Sequence, residues 1–148
     1  MILYADTSAL VKKYIAEDGT QETQDLLHEC DYVVTSAFTE LEMLSTVEIS
    51  KKLRRIASPS YRNILGAIEK DFQEGSLVII NITESILKTS KRLIQQRHLR
   101  APDALQLSSA LQTKKRLGTN VEFLCADHTL IEAARLEGLS CIMPQSGK

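Results

Sequence analysis

The opening of the chain, Met1-Ile-Leu-Tyr-Ala-Asp-Thr-Ser-Ala-Leu-Val, most constrains its fold, because a four-residue apolar run meets a carboxylate directly. Ile2, Leu3, Tyr4 and Ala5 show no polar alternation, so they read as a strand buried on both faces of a parallel sheet. Such a strand needs helices above and below it. Open α/β sheets hold ligands beyond the carboxyl ends of their strands, and Asp6 stands at that end with Thr7 and Ser8 behind it as candidate helix caps.

Further along, strand-like segments are expected at residues 32–35, 77–80, 121–126 and 140–143, the run Leu77-Val-Ile-Ile80 being the strongest buried-strand signal. Helices are expected over 7–16, 21–30, 37–55, 61–74, 84–97 and 130–137, and from Pro102 to a stop at Gly118. Ser36, Thr83 and Asp127 suit N-caps, and Pro59 suits a first turn. This alternation implies a three-layer α/β/α domain with a mainly parallel sheet of about five strands. At 148 residues a single domain over 1–148 is expected, with 144–148 as a frayed tail.

Composition narrows the function. With 43% hydrophobic and 25% charged residues, the chain is neither disordered nor fibrous. No apolar run approaches the ~18 residues of a membrane span, and no secretory signal precedes Asp6, so a cytoplasmic protein without a membrane partner is expected. A net charge of −1 excludes steering to nucleic acid by total charge. Cys30, Cys125 and Cys141 are odd in number and contain no C-x-x-C pair, so they read as small buried residues without a zinc site.

Acids recur where helices begin: Asp6, Glu40 or Glu42, Asp103 and Asp127. Each alone can serve as a cap or dipole partner contributing about 0.3–1 kcal/mol. In a parallel sheet, however, the helix starts that follow strands gather at one edge. Two like charges ~4 Å apart repel by about 4 kcal/mol at an effective dielectric of roughly 20, so clustered carboxylates call for a cation or a bound proton. Oxygen-only ligands suit Mg²⁺ or Mn²⁺, which points to phosphodiester chemistry.

The acids also lie in four segments that resemble, in order, the motifs of PIN-domain proteins. Ile-Leu-Tyr-Ala-Asp6-Thr-Ser-Ala-Leu-Val resembles the first. Thr35-Ser36-Ala-Phe-Thr-Glu-Leu-Glu42-Met-Leu resembles the second, whose register selects Glu42 over Glu40. Leu99-Arg-Ala-Pro-Asp103-Ala-Leu-Gln-Leu-Ser-Ser-Ala-Leu resembles the third, with Pro102 before the acid and Gln106 where the family often has His. Phe123-Leu-Cys-Ala-Asp127-His-Thr-Leu-Ile-Glu-Ala-Ala-Arg-Leu-Glu-Gly-Leu resembles the fourth.

At this size the chain is similar to the toxin half of VapBC toxin–antitoxin pairs. The resemblance implies a Mg²⁺- or Mn²⁺-dependent endoribonuclease whose metal site is Asp6, Glu42, Asp103 and Asp127, with Asp6 and Asp103 as the most direct ligands. It implies cleavage of single-stranded or structured RNA to a 5′-phosphate and a 3′-hydroxyl, a cognate antitoxin across the acidic groove, and a homodimer. Thr7, Ser8 and Ser36, with Ser36 foremost, are candidates to orient a carboxylate or hold a water. Arg97 and Arg100, beside the third acid, are candidates for RNA phosphate contact. Clusters at 51–55 and 114–116 read first as cationic helix ends.

Three other classes compete with this one. A phosphoacceptor receiver domain calls for paired acids at the first strand and a lysine after the last long one, and both are missing. A haloacid-dehalogenase-type phosphatase calls for Asp-x-Asp, and Ser8 takes the second place. A PIN-like module that binds RNA or protein without cutting keeps the fold and loses the chemistry.

Overall fold

Five strands, β1 (Ile2–Ala5), β2 (Tyr32–Ser36), β3 (Val78–Ile80), β4 (Glu122–Leu124) and β5 (Ser140–Ile142), form one sheet in the order β3-β2-β1-β4-β5, with every neighbouring pair parallel. The structure, a computed structural model, describes residues 1–145. Seven helices cover the sheet: α1 (Thr7–Leu10), α2 (Thr20–Glu29), α3 (Ala37–Lys52), α4 (Ser58–Gln73), α5 (Glu84–Arg97), α6 (Ala101–Leu117) and α7 (His128–Leu136). None of them is long and apolar enough to cross a membrane.

Alternate residues of the central strands feed two cores, which makes the fold the expected three-layer α/β/α arrangement. Tyr4, Val34, Phe123 and Cys125 face the layer of α5, α6 and α7. Leu3, Ala5, Val33 and Leu124 face the layer of α1 to α4. Tyr4 and Phe123, paired in register, stack with ring centroids 5.9 Å apart. Both strands are therefore buried on two sides, as the unbroken apolar run of β1 required.

Strand order grows from β1 through β2 to β3 on one side, and then from β4 to β5 on the other. The direction reverses between β1 and β4, and at such a switch point the loops diverge and leave a crevice. Asp6 and Asp127 follow the two strands that flank it.

Several boundaries differ from the sequence expectation. The helix expected over 7–16 stops at Leu10 and tightens into a 3₁₀ turn, Val11–Lys13. Lys12 holds the chain there, its ammonium donating to the Asp18 carbonyl at 2.6 Å and to Glu17 Oε1 at 3.2 Å. The helix expected to reach residue 55 ends at Lys52, because Arg54 adopts a left-handed φ of 56° and the Arg55 N–H returns to the Ser50 carbonyl. Strand β3 is an edge strand with Val78 48% exposed, so the segment richest in apolar residues is not the most buried. Apolar runs of this length cannot distinguish a central strand from an edge strand resting on one layer.

The first two residues of the expected frayed tail make contacts with α2 and the residue before it. Pro144 is buried against Gly19, where an added Cβ would meet it at 3.1 Å, and the Gln145 N–H donates to Glu22 Oε2 at 2.6 Å. The remainder of that expectation, residues 146–148, lies outside the described residues.

Candidate active site at the carboxyl edge of the sheet

Asp6 itself, rather than Thr7 or Ser8, caps α1: its Oδ1 accepts from the Ala9 N–H at 3.1 Å. The Ser8 hydroxyl reaches both carboxylate oxygens, at 2.8 and 3.0 Å, and accepts from the Ala126 N–H at 2.9 Å. The Cys125 thiol donates to Asp6 Oδ2 at 3.3 Å, while the Asp127 N–H reaches that sulfur at 3.3 Å. These bonds stitch the ends of β1 and β4 together around one carboxylate. Burial pushes the Asp6 carboxyl up to about 6, against the lowering effect of its donors from Ser8, Ala9 and Cys125, and the charge of Glu42 adds to the rise.

Glu42, in the second turn of α3, is half-buried, and its Oε1 accepts from Thr7 Oγ1 at 2.7 Å and from Gln106 Nε2 at 2.8 Å. Asp103, in the first turn of α6, is half-buried, and its carboxyl has no hydrogen-bond donor among the described residues. Burial raises it, the charges of Asp127 and Glu42 raise it further, and Arg100 pulls it back. Asp127 is exposed and caps α7, with Oδ1 accepting from the Leu130 N–H at 2.8 Å. All four sequence-selected acids thus stand within electrostatic reach of another member of the set, with Glu42 acting on both Asp6 and Asp103.

Their chemistry fits a hard divalent cation. The donors are carboxylate oxygens, and Asp103 entirely, Glu42 Oε2 and Asp127 Oδ2 carry no hydrogen bond among the described residues. The mutual repulsion that raises Asp103 is what a cation would relieve. Among the described residues, no group of three or more His, Cys, Asp or Glu is already gathered closely enough to hold a metal ion.

The supporting residues fall differently from expectation. Thr7 and Ser8 each donate to a site carboxylate, as candidate orienting residues should. Ser36, placed foremost, does not: its Oγ caps α3 by accepting from the Phe38 N–H at 3.1 Å. Arg97 turns away, with Nη2 3.7 Å from Glu137 Oε2, on a carboxylate that Arg92 also holds at 2.5 Å. Arg100 is exposed and acts on Asp103. Of the distant basic clusters, Lys114 donates to the Gly138 carbonyl and Lys51 lies 4.0 Å above the Tyr61 ring.

Three residues in the site lay outside the sequence selection: Tyr4, Gln106 and Cys125. Gln106 is 2% exposed, takes the Tyr4 hydroxyl proton on Oε1 at 2.7 Å, and donates from Nε2. One signal was available, since residues three apart share a helix face and Gln106 follows Asp103 by three.

The residue pattern of the PIN domain family matches residues 3–120. Ribonuclease VapC47 of Mycobacterium tuberculosis (strain CDC 1551 / Oshkosh) is 29% identical over 144 residues, covering 97% of each chain. Among solved structures, the sarcin-ricin loop cleaving toxin VapC20 of Mycobacterium tuberculosis superposes with a TM-score of 0.68 at 15% identity, over 97% of this chain and 100% of that one. VapBC2 from Rickettsia felis, bound to a DNA fragment from its promoter, gives a TM-score of 0.64 at 17% identity over 97% and 98%. At those identities the structural likeness bears on the fold alone. With four motif acids at one sheet edge and well over half of its length matched, the chain belongs to the PIN domain family.

Proposed function

We propose that this protein is a divalent-metal-dependent endoribonuclease, one PIN domain acting in the cytoplasm as the toxin of a toxin–antitoxin pair. The observation that carries it is the convergence of Asp6, Glu42, Asp103 and Asp127, from four separate segments, at the switch point between β1 and β4. Their carboxylates would hold Mg²⁺ or Mn²⁺, which when bound supplies charge neutralisation at the phosphate and a more acidic attacking water. Asp6 is held in place by Ser8, Ala9 and Cys125, and Glu42 by Thr7 and Gln106, so two of the four acids are preset. Among the described residues Asp103 has no donor to release before it binds. Arg100 provides a cation beside the cleft for an RNA phosphate.

The ribonuclease and loop-cleaving relatives support RNA as the substrate, single-stranded or structured. Neighbours solved as toxin–antitoxin complexes support an antitoxin partner, and we extend the reading to one that covers this cleft and to a homodimer. One observation favours the non-cleaving alternative: among the described residues the acids are not gathered closely enough for three of them to hold one ion. Cleavage of end-labelled RNA by metal-stripped protein, with and without Mn²⁺ or Mg²⁺ and beside Asp103→Asn, separates the two. We expect metal-dependent cutting that the variant loses; wild type inert on every RNA in either metal supports the binding module.

A further inference from the structure

Gln106 is nearly excluded from solvent, yet it spends its whole amide on polar partners. Its Oε1 accepts from the Tyr4 hydroxyl at 2.7 Å. Its Nε2 lies 2.8 Å from Glu42 Oε1, 3.0 Å from Thr39 Oγ1 and 3.1 Å from Thr7 Oγ1.

Proton accounting gives this network one direction. The Thr35 hydroxyl lies 2.7 Å from the Ala5 carbonyl, which can only accept, so its single proton goes there. The Thr35 and Thr39 hydroxyls are 2.8 Å apart, so the proton between them comes from Thr39. Thr39 Oγ1 is then left to accept from Gln106. The Thr7 proton is committed to Glu42 Oε1 at 2.7 Å, so the two Nε2 protons of Gln106 are shared among three acceptors, Glu42 Oε1, Thr39 Oγ1 and Thr7 Oγ1, of which Glu42 is the shortest contact. Flipping the amide would set Oε1 against three acceptors, whereas Tyr4 can donate in the orientation present. The Nε2 donors therefore face Glu42, and the polarity runs from Tyr4 and Gln106 toward its carboxylate.

The outcome at Glu42 is asymmetric. Oε1 receives two protons, from Thr7 and Gln106, and Oε2 receives none from the described residues. Gln106 also sits on the same helix as Asp103, one turn on, so α6 delivers one free carboxylate and positions another on α3.

We propose that Gln106 is a positioning residue of the metal site, whose buried amide, oriented by Tyr4, Thr39 and Thr7, fixes the Glu42 carboxylate by Oε1 and leaves Oε2 for the cation. It rests on the metal-dependent reading above. Buried second partners of metal ligands matter at the level of roughly 10–100-fold in affinity or activity.

The test is Mn²⁺ binding, read from the electron paramagnetic resonance signal of free Mn²⁺, for wild type, Gln106→Met, Glu42→Gln and the double variant, with RNA cleavage in parallel. If Gln106 works through Glu42, Gln106→Met weakens Mn²⁺ binding roughly 10-fold. It also lowers kcat with little change in KM for RNA, and adds nothing once Glu42→Gln is present. A merely structural role predicts additive losses or none in Mn²⁺ affinity, and either result overturns the proposal. Gln106→Glu keeps the acceptor for Tyr4 and removes both amide protons, so it serves if the methionine variant does not fold, and the same loss is expected. Wild type that binds Mn²⁺ and cuts RNA while either folded variant matches it overturns the role of Gln106 alone. Wild type that does neither overturns the metal-dependent reading and this role together.

Discussion

Cys125 Sγ donates to Asp6 Oδ2 at 3.3 Å across the junction of the two central strands, joining residues 119 apart in sequence. Burial pushes the thiol up, as does the charge of Asp6, so the sulfur works as a proton donor rather than as a nucleophile. Cys125→Ala removes a buried donor and should cost about 1–2 kcal/mol in urea denaturation. Cys125→Ser keeps a donor and should recover much of that. Equal stability of all three proteins would show the contact to be energetically idle.

Asp6 is destabilised by the site it builds. Its unfolded carboxyl titrates at 3.8 and its folded one at about 6, so between those values the folded state binds more proton and stability falls as pH rises. Above about pH 6 the whole penalty is present, on the order of 3 kcal/mol. Asp6→Asn retains an oxygen for the Ala9 cap and removes the charge. The variant should melt several degrees higher than wild type at pH 7.5 and level with it near pH 4, while losing cleavage. Lower stability at both pH values would contradict the burial penalty.

Among the described residues the Asp103 carboxyl makes no hydrogen bond, and it is raised by burial and by Asp127 and Glu42. Asp103→Asn should therefore leave the melting temperature unchanged or higher while lowering kcat on RNA by on the order of 10²-fold. A variant that unfolds would assign Asp103 a structural task instead.

Arg97 and Arg100 should separate cleanly. Arg97 is engaged with Glu137, so Arg97→Ala should cost about 0.5–1 kcal/mol of stability and leave RNA affinity intact. Arg100→Ala should weaken RNA binding and lower the slope of log affinity against log salt by about 1, measured by fluorescence anisotropy in an Asp103→Asn background. Equal effects of the two on RNA would place both at the phosphate.

How much of the site could be read in advance depended on the range of the interaction. Asp6, Asp103 and Asp127 announce themselves locally, because a strand end or helix start is written in neighbouring residues and an acid is favoured there. Ser36 shows the limit of that logic: its cap was legible, while the hydroxyls that bond site carboxylates are those of Thr7 and Ser8. Arg97 lay close to Asp103 in sequence and turned to a carboxylate 40 residues on.

The amino-acid sequence by itself determined the alternation of strands and helices, the two-sided burial of β1 and the placing of acids where helices begin, because each follows from periodicity and capping within a few residues. Only the tertiary structure decided which strand stands at the edge, and that Gln106, 64 residues from Glu42, holds its Oε1. The reason is physical: partners in a buried polar network are chosen by which groups the register of the sheet brings within 3 Å of one another, and each must then find a donor or an acceptor.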